Sequence, residues 1–543
     1  MTLSFIRSLL TQHEANYYYV RVNDPHLSEY IPEHYEIVRW LTGFTGSNAV
    51  CLIGLTSAYL WTDSRYWEQA AQQLPEGITL MRWGDKECPT PTQFLEQLNR
   101  PKVLLHAALV SAQQHSELSE LTSALIDLDD SILDEAWPER APLRINPLFP
   151  HTFSEVAPRE KLQKVRRVFQ ALPETLKKPA ALVVSKLDEI AWLTNLRGSD
   201  IDFNPVFLSH LIVTEASTRL FIHRCALTDA IEKTLADNGF EVDAYENFLP
   251  YLKSLAQTHT CLADFDLTNA QTALYCRPFD TPIARLKAVK TPKEIDGLRL
   301  AMKRDGEAIE NFIDELKRRL GEGEALTEND AVDILHQHRL RQKNFITESF
   351  ATIAAVNANA ALPHYEPLPG CGSPIMPPCV LLVDSGGHYH EGTTDTTRVW
   401  FLGDPREMDP NDLAQLKKDY RAVYEGMQAL KNARFKIGTC GHELDPIARA
   451  PIQAIGIDYG HGTGHGIGLT LNVHETPPNI SPRQSKGSLT PFAPGMVVSD
   501  EPGIYRPGRW GIRIENTLVC VKMDEQTLGF ECLTQCKIDE TLL

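Results

Sequence analysis

The stretch CVLLVDSGGHYHEGTTDTTRVWFLG, residues 379–403, decides how the last third of the chain folds. An apolar run ends at Asp384, a glycine-rich polar segment follows, and a second run starts at Asp395. Two such runs about a Gly-rich turn predict a β-hairpin. A turn centred within GHYHEG places Asp384 and Asp395 roughly opposite each other, at a β-carbon separation of about 4.5–5.5 Å. The stretch MVVSDEPGIYRPGRWGIRIENTLVCV, residues 496–521, repeats the arrangement. Pro502 makes Glu501 extended, Pro507–Gly508 is a turn signal, and Ile512, Ile514 and Asn516 alternate with Arg513, Glu515 and Thr517. A hairpin centred on residue 508 sets Glu501 nearly opposite Glu515.

Facing carboxylates repel unless a cation neutralises them or one takes a proton. Either pair alone reads as a solvated strand face. Together, beside a histidine cluster, they read differently: four negative charges match two divalent cations, and paired cations sit about 3.5–4 Å apart in two-metal sites. The histidines lie in HGTGHGIGLTLNVHE, residues 461–475. Glycines at 462, 464, 466 and 468 exclude a stable helix, so this is not a helical zinc motif. In an extended reading 461, 463, 465 and 467 share one face, and the glycine face admits a neighbouring backbone. Which of His461 and His465 ligates a cation and which meets substrate stays open at this level. His474 ends the LTLNV run, and His364, after Pro363, sits in a loop. An oxygen-rich ligand set with one imidazole favours Mn²⁺, with Co²⁺, Fe²⁺ and Zn²⁺ as alternatives. Two cations that activate a bridging water as hydroxide and polarise a carbonyl, with histidines to shuttle a proton, point to amide hydrolysis.

Working outward, the 543 residues predict three or four domains at ~150 residues each. The 43% hydrophobic and 23% charged content exclude a mainly disordered chain. No run approaches the ~18 apolar residues of a membrane span, and the first residues lack cleavable-signal architecture. With 53 basic against 71 acidic residues the net charge is −18, and no basic stripe interrupts it, so nucleic acid and anionic membranes are not expected partners. The 11 cysteines, odd in number and scattered, read as free thiols of a reducing compartment, hence a cytoplasmic protein.

Two breaks divide the chain. Prolines 138, 142, 147 and 150 mark an extended linker. Thr291, Pro292 and Glu294 form a helix start with a capping box, followed by apolar residues at helical spacing from Ile295 to Leu320. A second such helix starts at Asp409, with Leu413, Leu416, Tyr420, Val423, Met427 and Leu430 as its stripe. WLTGFTGS (40–47) and WLTNLRGS (192–199) match in register, each followed by β-rich sequence, which suggests two similar tandem α/β domains. The expected architecture is α+β, with domains at 1–150, 151–288 and 289–543.

The motifs DSGGHYHEGTTDTTR, HGTGHGIG, NVHE, DEPGIY and GIRIEN resemble those of the pita-bread-fold metallopeptidases. GFTGSNAV, WTDSRY, AWLTNLRGSD, NPVFLSH and AVKTPKEI narrow the likeness to the three-domain, cytosolic-type aminopeptidase P, or Xaa-Pro aminopeptidase, branch. The resemblance covers nearly the whole length. It implies a C-terminal pita-bread catalytic domain behind two creatinase-N-like domains. It implies Asp384, Asp395, His465, Glu501 and Glu515 as ligands of a dinuclear Mn²⁺ site, Asp395 and Glu515 bridging and Glu501 also the general acid/base. His364, His461 and His474 correspond to substrate-contacting residues, and Arg65 to a substrate-binding arginine, with a strand-end salt bridge as its structural alternative. Arg513 is expected behind the ligands, orienting a carboxylate. The implied reaction removes an N-terminal residue ahead of a penultimate proline. Prolidase activity on Xaa-Pro dipeptides and a non-catalytic peptide-binding role are the alternatives. Relatives often dimerise through the catalytic domain, so the resemblance offers a homodimer, but they usually continue into a helical tail where this chain reads KIDETLL, which leaves the oligomeric state open.

Overall fold

The computed structural model describes residues 2–172, 177–368 and 370–543. It divides into two compact units, one of residues 1–150 and 156–283, the other of 151–155 and 284–543.

The first unit holds two six-stranded sheets of one topology. In the first, Thr79–Arg82, Ala58–Thr62, Val50–Gly54, Tyr17–Arg21, Lys102–Leu105 and Ala124–Asp127 lie side by side in that order. In the second the order is Glu241–Ala244, Thr218–Ile222, Ser209–Thr214, Ala180–Val184, Thr260–Ala263 and Cys276–Pro278. The sense of pairing also repeats: the central hairpins are antiparallel and the outer strands join in parallel. The two WLT segments occupy equivalent places. Each closes a helix, Ile37–Thr42 and Leu187–Thr194, at a residue with left-handed backbone, Gly43 (φ 75) and Asn195 (φ 52). The octapeptide match therefore marks a repeated domain, as its register suggested.

In the second unit the two expected helices form. Pro292–Gly321 is capped by Thr291 with a reciprocal Glu294 capping box, and Pro410–Lys431 by the Asp409 carboxylate. Leu298, Met302, Ile309, Phe312 and Leu316 are buried on the first, and Leu416, Tyr420, Val423, Met427 and Leu430 on the second. These stripes press against the sheets that carry the acidic residues. One sheet orders Ile353–Val356, Cys379–Ser385 and Thr396–Leu402. A six-stranded sheet contains Asn516–Lys522, Val497–Asp500, Gly464–Gly466 and Glu475–Ile480 as consecutive neighbours. Among the described residues no helix is long and apolar enough to cross a membrane.

The first hairpin corrects the expected register. Asp384 lies opposite Thr397, not Asp395. The turn falls at His390–Glu391, since Tyr389 pairs Gly392 and His388 pairs Thr393, so the centre is one residue later than a symmetric reading of the two aspartates allows. Shifting the centre by one moves the partner by two, and a shift of two preserves the face. Asp384 and Asp395 are thus diagonal neighbours on one side.

The second hairpin keeps its expected register in an unexpected form. Gly503–Arg506 pairs Trp510–Arg513, and Val497–Asp500 pairs Asn516–Lys522. Both ladders follow one register, and it places Glu501 opposite Glu515 in the gap between them. Neither glutamate belongs to a ladder, so both stand where the strands part.

Candidate metal centre

Asp395, His465 and Glu515 each offer a ligand atom within 4.8 Å of the others'. His465 Nε2 lies 3.4 Å from Asp395 Oδ2 and 3.5 Å from Glu501 Oε1. Its Nδ1 faces the Gly466 carbonyl at 2.9 Å, so the ring donates there and turns Nε2 to the carboxylates. The short strand Gly464–Gly466 makes this placement possible. A β-carbon on Gly464 would stand 2.0 Å from the Ser499 carbonyl oxygen, and one on Gly466 2.5 Å from that of Glu475. The glycine ladder is there to let backbones close in, as its spacing suggested. The extended run is shorter than expected, however. It bulges between His465 and Gly466, and His461 lies outside it.

Each acidic residue has its own support. Asp384 accepts from Arg513 Nη2 at 2.6 Å, and its other oxygen, Oδ1, is buried with no hydrogen-bond partner. Glu515 accepts from the Thr397 hydroxyl at 2.7 Å, and Thr397 in turn accepts from Arg513 Nε at 3.2 Å. Glu501 accepts from Ser499 Oγ at 3.2 Å, and the same Oγ accepts from the His465 backbone N–H at 3.0 Å. Asp395 is held through its carbonyl by Thr517 Oγ1 at 3.2 Å.

The electrostatics show what the cluster lacks. Burial first, then the mutual repulsion of Asp395, Asp384 and Glu501, raises Glu515 well above the usual carboxylate range. Burial raises Asp384 against the pull of Arg513. Burial also lifts Glu501 to about 6, with His465 opposing. Burial alone would depress His465, but the Asp395 hydrogen bond and the Glu501 charge outweigh it and hold the ring protonated to about 9. Acids that resist ionising, an imidazole that clings to its proton and an orphaned carboxylate oxygen all call for positive charge at one place. Oxygen donors with one imidazole fit hard-to-borderline divalent cations.

Arg513 is the hub behind this shell. Besides Asp384 and Thr397 it donates to Tyr505 Oη at 2.8 Å and to the Pro363 carbonyl at 3.3 Å. His461 Nε2 lies 2.8 Å from the same Tyr505 Oη, which ties His461 to the cluster through the tyrosine. The His474 ring stands edge-to-face on His465, centroids 4.3 Å apart. His364 follows the Arg513-bound Pro363 and precedes Tyr365, whose hydroxyl donates to the buried Glu328 at 2.7 Å.

Arg65 lies in the other unit. It grips Asp63 with two hydrogen bonds, Nε to Oδ1 at 2.7 Å and Nη2 to Oδ2 at 2.8 Å, the strand-end salt bridge of its structural alternative. Tyr505 and Thr397 went unread in the sequence. The signal was period-two parity: residues 501, 503 and 505 share a strand face, as do 395 and 397.

Comparison with known proteins agrees along the whole chain. Residues 296–522 match the model of metallopeptidase family M24, and residues 6–135 and 139–294 each match a creatinase/prolidase N-terminal domain. A probable Xaa-Pro aminopeptidase P of Coccidioides posadasii is 36% identical over 572 residues, covering 100% of this chain and 86% of the relative. The chain belongs to the Xaa-Pro aminopeptidase P family. A second relative in that family, from Botryotinia fuckeliana, is also 36% identical, over 578 residues, and the chain covers 86% of it. The crystal structure of the Caenorhabditis elegans X-prolyl aminopeptidase, described as a cytosolic enzyme with a di-nuclear active site, superposes with a TM-score of 0.92 at 29% identity, covering 100% of this chain and 91% of that one. A Pyrococcus horikoshii prolidase shares the fold over 70% of this chain, with a TM-score of 0.53 at 23% identity. The α+β reading, with two creatinase-type domains ahead of a pita-bread domain, holds.

Proposed function

We propose that this chain is a dinuclear-metal aminopeptidase that hydrolyses the bond between an N-terminal residue and a penultimate proline. The observation that carries the reading is the buried convergence of Asp395, His465 and Glu515, with Asp384 and Glu501 beside them. These five side chains are the proposed ligands, with Mn²⁺ as the metal. Two divalent cations bound there would neutralise the carboxylates and supply Lewis acidity to a carbonyl and to water.

The chain's own residues do the rest. Glu501 is the most accessible of the site's carboxylates, at 19% side-chain exposure, and is proposed to accept and return the proton of the attacking water. His474, His461 and His364 are proposed to meet the substrate around the scissile carbonyl, where an imidazole can donate to a developing oxyanion. Arg513 fixes Asp384 and the Thr397–Glu515 pair, and through Pro363 and Tyr505 it fixes the backbone or ring of two of those histidines. Arg65, paired with Asp63, is proposed as a substrate-binding residue. Proline lacks an amide hydrogen and constrains its chain, so its bond calls for a dedicated site. Eleven free cysteines support a reducing, cytoplasmic setting.

The deciding experiment combines metal analysis with cleavage assays on Xaa-Pro-Xaa and Xaa-Pro peptides, with and without chelator. Two ions per chain and chelator-sensitive cleavage of the tripeptide are expected. Cleavage of the dipeptide alone, or turnover that ignores the chelator, would overturn the reading.

A further inference from the structure

The segment KAVK, residues 287–290, which leads into the capped helix Pro292–Gly321, carries two lysines that no role above absorbs. Lys287 and Lys290 converge on Glu475. Lys287 Nζ donates to Oε2 at 2.6 Å and Lys290 Nζ donates to Oε1. All three side chains are buried, at 3%, 2% and 1% exposure. Two ammonium groups on one carboxylate are more charge than the pair needs, and burial depresses Lys290. Replacing a buried ion cluster by apolar residues of similar volume is often neutral or stabilising. Stability alone is therefore a weak reason for this arrangement.

Its location offers a better one. Glu475 follows His474 and opens the strand Glu475–Ile480. Its partner across the ladder is Gly466, the residue after His465. There is no room for a β-carbon on Gly466 against the Glu475 carbonyl. The His474 and His465 rings meet at 4.3 Å. The backbone carrying His474 is thus pressed on the backbone carrying His465, and the lysines seize the next side chain by both carboxylate oxygens. A two-point, charge-assisted grip fixes rotation as well as position.

We propose that Glu475, gripped by Lys287 and Lys290, is a positioning residue that sets the His474 imidazole toward the substrate. The proposal rests on the substrate role given to His474 above. It makes the start of the catalytic unit, residues 287–290, part of the active-site machinery without touching the reacting atoms.

The test uses the full-length, Mn²⁺-loaded protein and an Xaa-Pro-Xaa peptide. Lys290→Met and Glu475→Gln should keep two ions per chain and lower kcat on the order of 10-fold to 100-fold, the scale of a misplaced catalytic group, with KM moving far less. The discriminating readout is a cycle with His474→Ala. If Glu475 acts through His474, then Lys290→Met or Glu475→Gln costs less than about twofold in the His474→Ala background. A loss as large there as in the wild type overturns the proposal. Wild-type turnover in His474→Ala overturns the substrate role of His474 and the proposal with it. Should Glu475→Gln fail to fold, the triple variant Lys287→Met, Lys290→Met, Glu475→Leu removes all three members of the ion cluster together. It should fold, bind two ions and still lose kcat, and a folded triple variant with normal kcat overturns the proposal.

Discussion

Each unit of the molecule buries a cluster of titratable side chains, and the two clusters behave in opposite ways. In the first unit His26, His210, His223 and Tyr245 gather. His26 Nδ1 faces the Ser185 carbonyl and its Nε2 the Tyr245 hydroxyl, both at 2.8 Å. His210 lies flat on Phe248 at 3.8 Å and touches Ser185 Oγ at 3.0 Å. Burial lowers His26 against the pull of Asp24, and burial with the neighbouring His26 lowers His210 well below its ordinary value. Burial thus favours the neutral form of His26 and His210, and the rings of the cluster stack on one another and on Phe248. In the second unit burial instead leaves acidic groups facing one another, and their mutual repulsion raises Glu515 well above the usual carboxylate range. Burial of titratable groups is common to both. What singles out the metal centre is burial that leaves charge unanswered.

That contrast can be broken most directly at Asp395. Asp395→Asn removes one negative charge from the cluster and half of the His465 grip. Turnover of an Xaa-Pro-Xaa peptide should fall at least about 1,000-fold, beyond the loss of a single oxyanion donor, with fewer than two ions retained. Near-normal turnover with two bound ions would remove Asp395 from the ligand set. Arg513 comes next. Arg513→Met should cost about 10-fold to 100-fold, the usual effect of a residue behind the ligands. Arg513→Lys should be little better, because one ammonium cannot span Asp384, Thr397, Tyr505 and the Pro363 carbonyl as the guanidinium does. Full rescue by lysine would mean that only the charge matters. Tyr505→Phe removes a single hydroxyl between Arg513 and His461, so about a 5-fold loss is expected, one hydrogen bond's worth near 1 kcal/mol.

How much of this was legible in the sequence follows from physical range. The glycine ladder, the capped helices and the repeated WLT segment are local patterns, and they foretold close backbone approach, helix starts and a duplicated sheet. The face of each acidic residue followed from parity, which is why a register error of two residues at Asp384 and Asp395 did no harm to the site. The turn position itself was ambiguous, because GHYHEG offers several polar turns and packing against neighbouring strands selects one. Glu475 with Lys287 and Lys290 could not be read at all. Their separation along the chain exceeds 180 residues, and nothing local distinguishes a buried lysine from a solvated one.

The smallest expected effect lies in the first unit, at His210. Its folded pKa is depressed, so the unfolded chain takes up a proton first as pH falls. Stability of the surrounding fold is then complete above the unfolded histidine value near 6.5 and declines below it, as the folded value is approached. The groups facing the ring are His26, Ser185, Tyr245 and Phe248, and through His26 the Asp24 carboxylate, whose charge opposes the shift. His210→Phe keeps the stack and removes the titration. Activity at pH 7.5 should stay within about twofold of wild type, since surface-remote substitutions that preserve packing are mild. Hydrogen exchange in the strand Ser209–Thr214, corrected for intrinsic rate, should accelerate from pH 6.5 to 5 in the wild type and less so in His210→Phe. Equal acceleration in both would move the acid sensitivity away from His210. An activity loss at pH 7.5 would tie the neutral cluster to the charged one, and the contrast between the two units would no longer stand.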